Sequence, residues 1–458
     1  MPITACHLVV VGLCAVGLIL KAGPWHFWVG GLMAWTFFVA CDNVAAAICM
    51  LILVSPFNQA IRWVCEDSLL VRPWRDLIVY GLVACFMLSR RRLDRHVHSV
   101  AAMAFIAWCI LLQFIHAEAP LHGVLAFRQL TAYAILFPVT VAVCLTDKGR
   151  AVESLLTALV SASGVICTIQ LAAYFGVLRL PMDVSPDELL RPIGVHQISR
   201  MMAIQTGSPS GLAIYALSAS MIAFARLVCT GRMPRLWWAC VAVSLTCAFL
   251  TASHSALVGM LLGWSVIALF TARRWATLVW AAGAALAAWP LFVIATLTGK
   301  TTFEYAMVFL TWARQDFVRA LDHFFLGAGV VPTGYLSRLV QDGQRSLCDG
   351  GWGLLALQVG IPAALMMVLW CVTAYVLPAL SLYQRRRSGR GGWLMSWYGI
   401  AAFAGGIIYF VNAHGVPWSR PGADVNFFVL TSILLSLYWL DRRAGQTMTN
   451  DQWAMTHE

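Results

Sequence analysis

Two arginines and one carboxylate sit where their chemistry needs explaining. Arg200 opens "RMMAIQTGSPSG", eleven residues before Gly211, and Ser208-Pro209 closes the polar connection as a new apolar run begins. A guanidinium fork matches phosphate oxygens, and a helix N-terminus carries partial positive charge suited to the same ligand. Pro209 and Gly211 allow a tight start to that helix. Arg314 lies in "TFEYAMVFLTWARQDFVRALDHFFLGAG", which reads as an amphipathic helix on the membrane surface ending at Gly-Ala-Gly. At 100° per residue it shares a face with Phe317, Val318, Leu321 and Phe325. A guanidinium centred on a buried apolar face needs an anion, either an internal carboxylate or a diphosphate ligand. Arg319 falls on the opposite side near Asp316 and His323, the pattern of a wet face with local ion pairs. Asp349 closes the polar part of "RSLCDGGWGLLALQVGIPAALMM", four residues after Arg345, and an apolar run follows. A short polar oxygen before a helix suits an N-cap. Arg179 and Arg191, in the same connection as Arg200, read as solvated charges or headgroup anchors.

Other chemistries are poorly served. His254 stands between two serines in "TASHSALVG", but without an orienting acid it reads as a helix-opening residue. The His, Cys and carboxylate spacings give no metal motif such as HExxH or paired CxxC. No Walker-type or dinucleotide glycine loop occurs, so no cofactor is expected.

The elements that must hold these residues are membrane helices. The chain of 458 residues is 60% hydrophobic and 11% charged, and apolar runs of about 20 residues, enough to cross roughly 30 Å of hydrocarbon, recur along it. The first, "ITACHLVVVGLCAVGLILK", has no basic n-region and reads as a retained helix rather than a signal peptide. The net charge of +11 comes almost wholly from Arg, because Lys occurs only at 21, 148 and 300. These arginines orient helices, and nucleic acid is not an expected partner. Most of the 14 Cys lie in apolar runs as small hydrophobes, and only Cys65 and Cys348 are placed where an oxidising compartment would permit a bridge.

From residue 76 onward the spans are expected at 76–89, 98–116, 128–146, 151–176, 211–228, 236–251, 255–271, 277–297, 352–380, 392–412 and 426–440. Every second connection is short and basic: 90–96, 147–150, 231–235, 272–274, 384–392 and 441–445. The positive-inside bias places all of these in the cytoplasm, with the C-terminus. The run from His26 to Pro56 is too long for one helix, and "CDN" at 41–43 offers a break. The expectation is an all-α, polytopic transmembrane bundle of about 12–14 spans. It forms one integral membrane domain over 1–458, with outward connections at 177–210 and 298–350, the second containing the amphipathic helix. The sizeable connections all face outward, and scaffolded loops are where sites usually sit.

In order and placement these segments resemble the O-antigen ligase and polymerase superfamily, over roughly residues 120–380. "LTASHSALVGMLLG" is similar to that family's T-x-S-R-x-x-x-x-G helix, with His254 where Arg is usual. "RMMAIQTGSPSG" resembles the Arg-x10-Gly element of the polymerases' outer loops. "RALDHFFLGAG" resembles the segment ending in Gly-x-Gly, and "DGGWGLLALQVGIPAALMM" the element with ten residues before Gly-Ile, here Gly360. The ligases typically have His at the first position of that element, proposed to activate the acceptor. Asp349 stands there, which favours the polymerase branch.

The resemblance implies a GT-C-like membrane glycosyltransferase, a metal-independent polysaccharide polymerase of a bacterial inner membrane with a periplasmic active face. It would join undecaprenyl-diphosphate-linked oligosaccharide units into O-antigen, capsule or exopolysaccharide. Donor and acceptor are both lipid-linked, and a chain-length regulator is a candidate partner beside the bilayer itself. Arg200 and Arg314 are expected on the donor diphosphate, with Arg191 and Arg345 as second choices, and Asp349 as the catalytic carboxylate at the acceptor hydroxyl. The alternatives are an O-antigen ligase acting on lipid A core or protein, and a lipid-linked oligosaccharide flippase.

Overall fold

The computed structural model describes residues 24–57, 74–88, 96–115, 131, 134–147, 149–177, 190–193, 198–201, 209–251, 253–270, 273–298, 302–329, 351–388, 392–411 and 423–455. It also describes positions 10, 13, 14 and 17. In chain order the elements are α1 (Trp25–Asp42), α2 (Val44–Val54), α3 (Trp74–Leu88), α4 (Val97–Ile115), α5 (Leu136–Asp147) and α6 (Gly149–Tyr174). A two-stranded hairpin, β1 (Leu190–Ile193) and β2 (Ile198–Met201), precedes α7 (Pro209–Thr230). Then come α8 (Arg235–Leu250), α9 (His254–Phe270), α10 (Arg273–Thr298), α11 (Thr302–Leu321), α12 (Trp352–Val359), α13 (Ile361–Ser388), α14 (Trp397–Ile407) and α15 (Ala423–Met455). Apart from the hairpin and short 3-10 turns at Ser55–Phe57 and Ile408–Val411, the described elements are α-helices.

Among the described residues, five helices are long and apolar enough to cross a membrane: α4, α6, α7, α10 and α13. The α2, α5, α8, α9 and α14 segments are shorter apolar helices of 10–17 residues. This is a helical membrane protein. The run from His26 breaks where expected. Asn43 ends α1 in extended conformation, and its side chain accepts from Ala46 N at 3.1 Å as the N-cap of α2. Within the expected span at 128–146 the structure describes α5, preceded by a turn at 134–135, while 128–130 and 132–133 lie outside the described residues.

Helix α7 is the axis of the bundle. Its residues from Gly211 to Ala225 are buried without interruption, against α6, α8, α9 and α14. Small residues permit the close approach that membrane helices rely on. A Cβ at Gly263 would meet Met221 and the Ala404 carbonyl, and Ser218 donates to the Gly405 carbonyl at 2.9 Å. In contrast α10 packs on α9 and turns Leu278, Trp280, Leu286, Trp289 and Phe292 outward, the face a lipid-exposed helix presents.

One end of the bundle is tied by polar contacts among the basic connections. Asp441 accepts from Trp393 N at 2.7 Å and Leu394 N at 3.0 Å, and pairs with Arg385 at 3.4 Å. His96 stacks on Trp439 at 4.4 Å and bonds Arg443 at 3.2 Å. Arg226 lies over the rings of Trp237 and Trp397 at 4.9 Å from each and pairs with Glu153, which also accepts from Tyr398. Described residues in or beside the basic connections, among them His96, Glu153, Arg226, Arg385, Trp393 and Asp441, thus meet at one end.

The expected span at 352–380 requires correction. The helix breaks at Gly360 (φ 85°, ψ 155°), so α12 is separate and the crossing helix is α13. A positive φ with extended ψ cannot continue an α-helix, and only glycine adopts it without strain. The groups this break leaves open are bonded by the segment after α11. Ala328 N donates to the Leu357 carbonyl at 2.7 Å, and Ile361 N donates to the Phe324 carbonyl at 2.8 Å. Trp108 of α4 donates its indole N–H to the Val359 carbonyl at 2.9 Å. A Cβ on Gly360 would strike the Phe325 carbonyl, and one on Gly327 the Gln358 carbonyl. Gly360→Ala is therefore expected to cost about 2 kcal/mol or more from strain alone. The purified variant should show a lowered unfolding midpoint in detergent; an unchanged midpoint would refute the close docking.

Candidate functional site

The end of the bundle opposite the basic connections carries the N-termini of α7, α9, α13 and α15, together with the docked segment 324–328. Helix α7 starts at Pro209, as the Pro-x-Gly spacing indicated, eight residues after the end of the hairpin at Met201. The hairpin has a register that spacing alone could not reveal: Arg191 pairs directly with Arg200, between Leu190↔Met201 and Pro192↔Ser199. Directly opposed residues of an antiparallel pair share one face with Cβ atoms about 5 Å apart, and like charges there are destabilising. An anion between two guanidinium groups removes that repulsion and gains charge-assisted hydrogen bonds. The first-choice and second-choice arginines of the sequence reading are therefore neighbours.

Arg314 requires a correction. Helix α11 has three faces rather than two. Phe303, Met307, Leu310, Arg314, Phe317, Val318 and Leu321 form one helical stripe, and this stripe is exposed, with Phe317 46% accessible. Glu304, Thr311, Gln315 and Arg319 form an exposed polar face. The face buried in the protein holds Asp316 and Ala320, packed against α12. Arg314 is thus not on a protein-buried face, and among the described residues no carboxylate pairs with it. Periodicity found the stripe but not its direction. In a membrane protein an exposed apolar stripe suits the bilayer, where a long Arg reaches the phosphate level.

Asp316, expected on the wet face, is 2% exposed, and its Oδ2 has no hydrogen-bond partner among the described residues. Burial pushes its carboxyl above the usual carboxylate range, opposed by the Arg319 charge. The pairing of Asp316 with a small residue four positions on, Ala320, is the sequence signal for this face.

Asp349 and Arg345 lie outside the described residues, as do Arg179, Cys65 and Cys348. The N-cap reading of Asp349 is nevertheless corrected: α12 begins at Trp352, and its N-cap is Gly351 (φ 55°). Gly360, expected within a continuous span, is the helix break that receives the Gly327-Ala328-Gly329 segment. The two glycine motifs singled out by spacing therefore meet in space. His254 opens α9 half-buried, and the neighbouring Ser253 and Ser255 hydroxyls lie 3.4 Å from each other. Sequence reasoning passed over Tyr215 and Asn426. Both are buried near the helix starts at this end, and the two side chains are close enough to act on each other.

The chain matches no protein-family model, no curated protein and no solved structure.

The hairpin register makes a direct prediction. Arg191→Glu replaces the like-charge pair with an ion pair and removes one anion ligand. Binding of a short-chain prenyl diphosphate to purified protein, followed by calorimetry, should weaken about tenfold or more. Unchanged binding would show that the opposed arginines do not act on the anion.

Proposed function

We propose that this protein is a membrane glycosyltransferase of the polysaccharide polymerase type, acting on undecaprenyl-diphosphate-linked oligosaccharides at the periplasmic face of a bacterial inner membrane. The observation that carries the reading is the pairing of Arg191 with Arg200 on a hairpin that leads into the N-terminus of the buried helix α7. Two arginines paired in register suit a diphosphate, which holds two linked phosphates, and a helix N-terminus suits the same charge. Arg314, presented on an exposed apolar stripe, suits the same group approached from the bilayer, because the diphosphate of a polyprenyl carrier sits at headgroup depth.

The reaction needs little else. The acceptor hydroxyl attacks the anomeric carbon of the donor, the bond to the diphosphate oxygen breaks, and its electron pair leaves with the carrier diphosphate. Negative charge grows on that leaving group, and fixed guanidinium groups stabilise it more in the transition state than in the ground state. The hydroxyl proton passes to a carboxylate, for which Asp349 is the assigned base, two residues before the cap of α12. Its neighbour Arg345 is a second-choice diphosphate ligand on the same connection. The donor bond supplies the energy, and no nucleotide is required.

The test is the surface polysaccharide of a deletion strain carrying plasmid copies of the gene. The wild-type copy should restore long chains. Arg200→Ala, Arg314→Ala and Asp349→Asn should leave single repeat units while the protein still reaches the membrane. Long chains accumulating on the carrier lipid in the deletion strain would mark a ligase instead. Full-length polymer from Asp349→Asn would remove Asp349 from the chemistry.

A further inference from the structure

Helix α11 is held to the protein by a face that contains a carboxyl group. Asp316 and Ala320, 2% and 0% exposed, meet α12, while the remaining described side chains of α11 are exposed. Helix α12, Trp352–Val359, contributes no charged or titratable side chain to this contact. On α11 and the turn after it, the groups able to act on Asp316 are Glu304, Arg314, Arg319, Asp322 and His323, all exposed. Asp316 Oδ2 finds no hydrogen-bond partner among the described residues. An ionised carboxylate buried without compensation is costly, and a protonated one much less so.

We propose that Asp316 is a pH-sensitive latch: protonated, it lets α11 dock on α12, and ionised, it releases the helix. Release leaves the backbone bonds of 324–328 at the Gly360 break as the hinge, and it swings the Arg314 stripe relative to the bundle. The latch therefore regulates how α11 is held, and it stands independently of the reaction assigned above.

The direction follows from linkage. Burial raises the carboxyl in the docked state, with Arg319 opposing, whereas in the released helix the group returns to an ordinary carboxylate. Docking is then fully favoured below the ordinary carboxylate value, near 3.9. It weakens as pH rises from there to the docked-state value and is constant above it. Within that window the released population grows by up to about tenfold per pH unit.

The measurement is hydrogen–deuterium exchange of the full-length protein in lipid nanodiscs between about pH 4.5 and about pH 8. Peptides from 302–321 are compared at each pH with peptides from α7 and from 441–455 of the same molecule, so the intrinsic pH dependence of exchange cancels. The expected result is a rise in relative exchange of α11 with pH, levelling off at the upper end, with α7 unchanged. Asp316→Asn and Asp316→Leu should keep α11 protected at every pH. Relative exchange of wild-type α11 that stays flat across the range overturns the latch, whatever the variants do. So does a rise that persists in Asp316→Asn.

Discussion

The end of this molecule opposite the basic connections depends on how an interrupted helix satisfies its backbone. At Gly360 the chain turns out of α-helical conformation at the start of the crossing helix α13, where open amide and carbonyl groups are expensive. The segment after α11 answers that demand with Ala328 N on Leu357 O and Phe324 O on Ile361 N, and Trp108 covers Val359 O. The exchange requires backbones nearly in contact, which is why Gly327 and Gly360 both have positive φ and why neither has room for a Cβ. Helix α11, with Arg314 and Asp316, runs into the segment docked at this junction.

A second consequence is a division of labour between the two ends. Described residues of the basic connections are bound to each other through Asp441, Arg226 and the His96–Trp439 stack. The opposite end presents helix N-termini, a like-charge hairpin and an amphipathic helix whose stripe faces outward. Among the described residues Arg314 there pairs with no carboxylate, and a guanidinium matches phosphate. That asymmetry is the physical basis for placing recognition at one end and anchoring at the other.

Much of this was legible in the chain. Apolar run lengths located most helices, and Asn43 announced its own break because a capping side chain acts locally. The Pro209 start of α7 was legible for the same reason. The break at Gly360 was not, since its cause lies some thirty residues upstream in a segment that spacing cannot connect to it. The stripe through Arg314 was correctly grouped but wrongly directed. In water an apolar face must point inward, whereas beside a bilayer it can point either way. Asp316 was hidden by its neighbours, because Arg319 and His323 made its surroundings look solvated. The pairing of Arg191 with Arg200 depends on strand register, which a polar hairpin barely specifies in sequence.

Residue-resolved hydrogen exchange of the Ala328 and Ile361 amides measures directly the docking of segment 324–328 into the helix break. Both N–H groups are bonded across the junction, so both should exchange as slowly as the amides of the neighbouring span α13. Fast exchange of Ala328 and Ile361, typical of an open loop, would contradict the docking and with it the placement of the outer site.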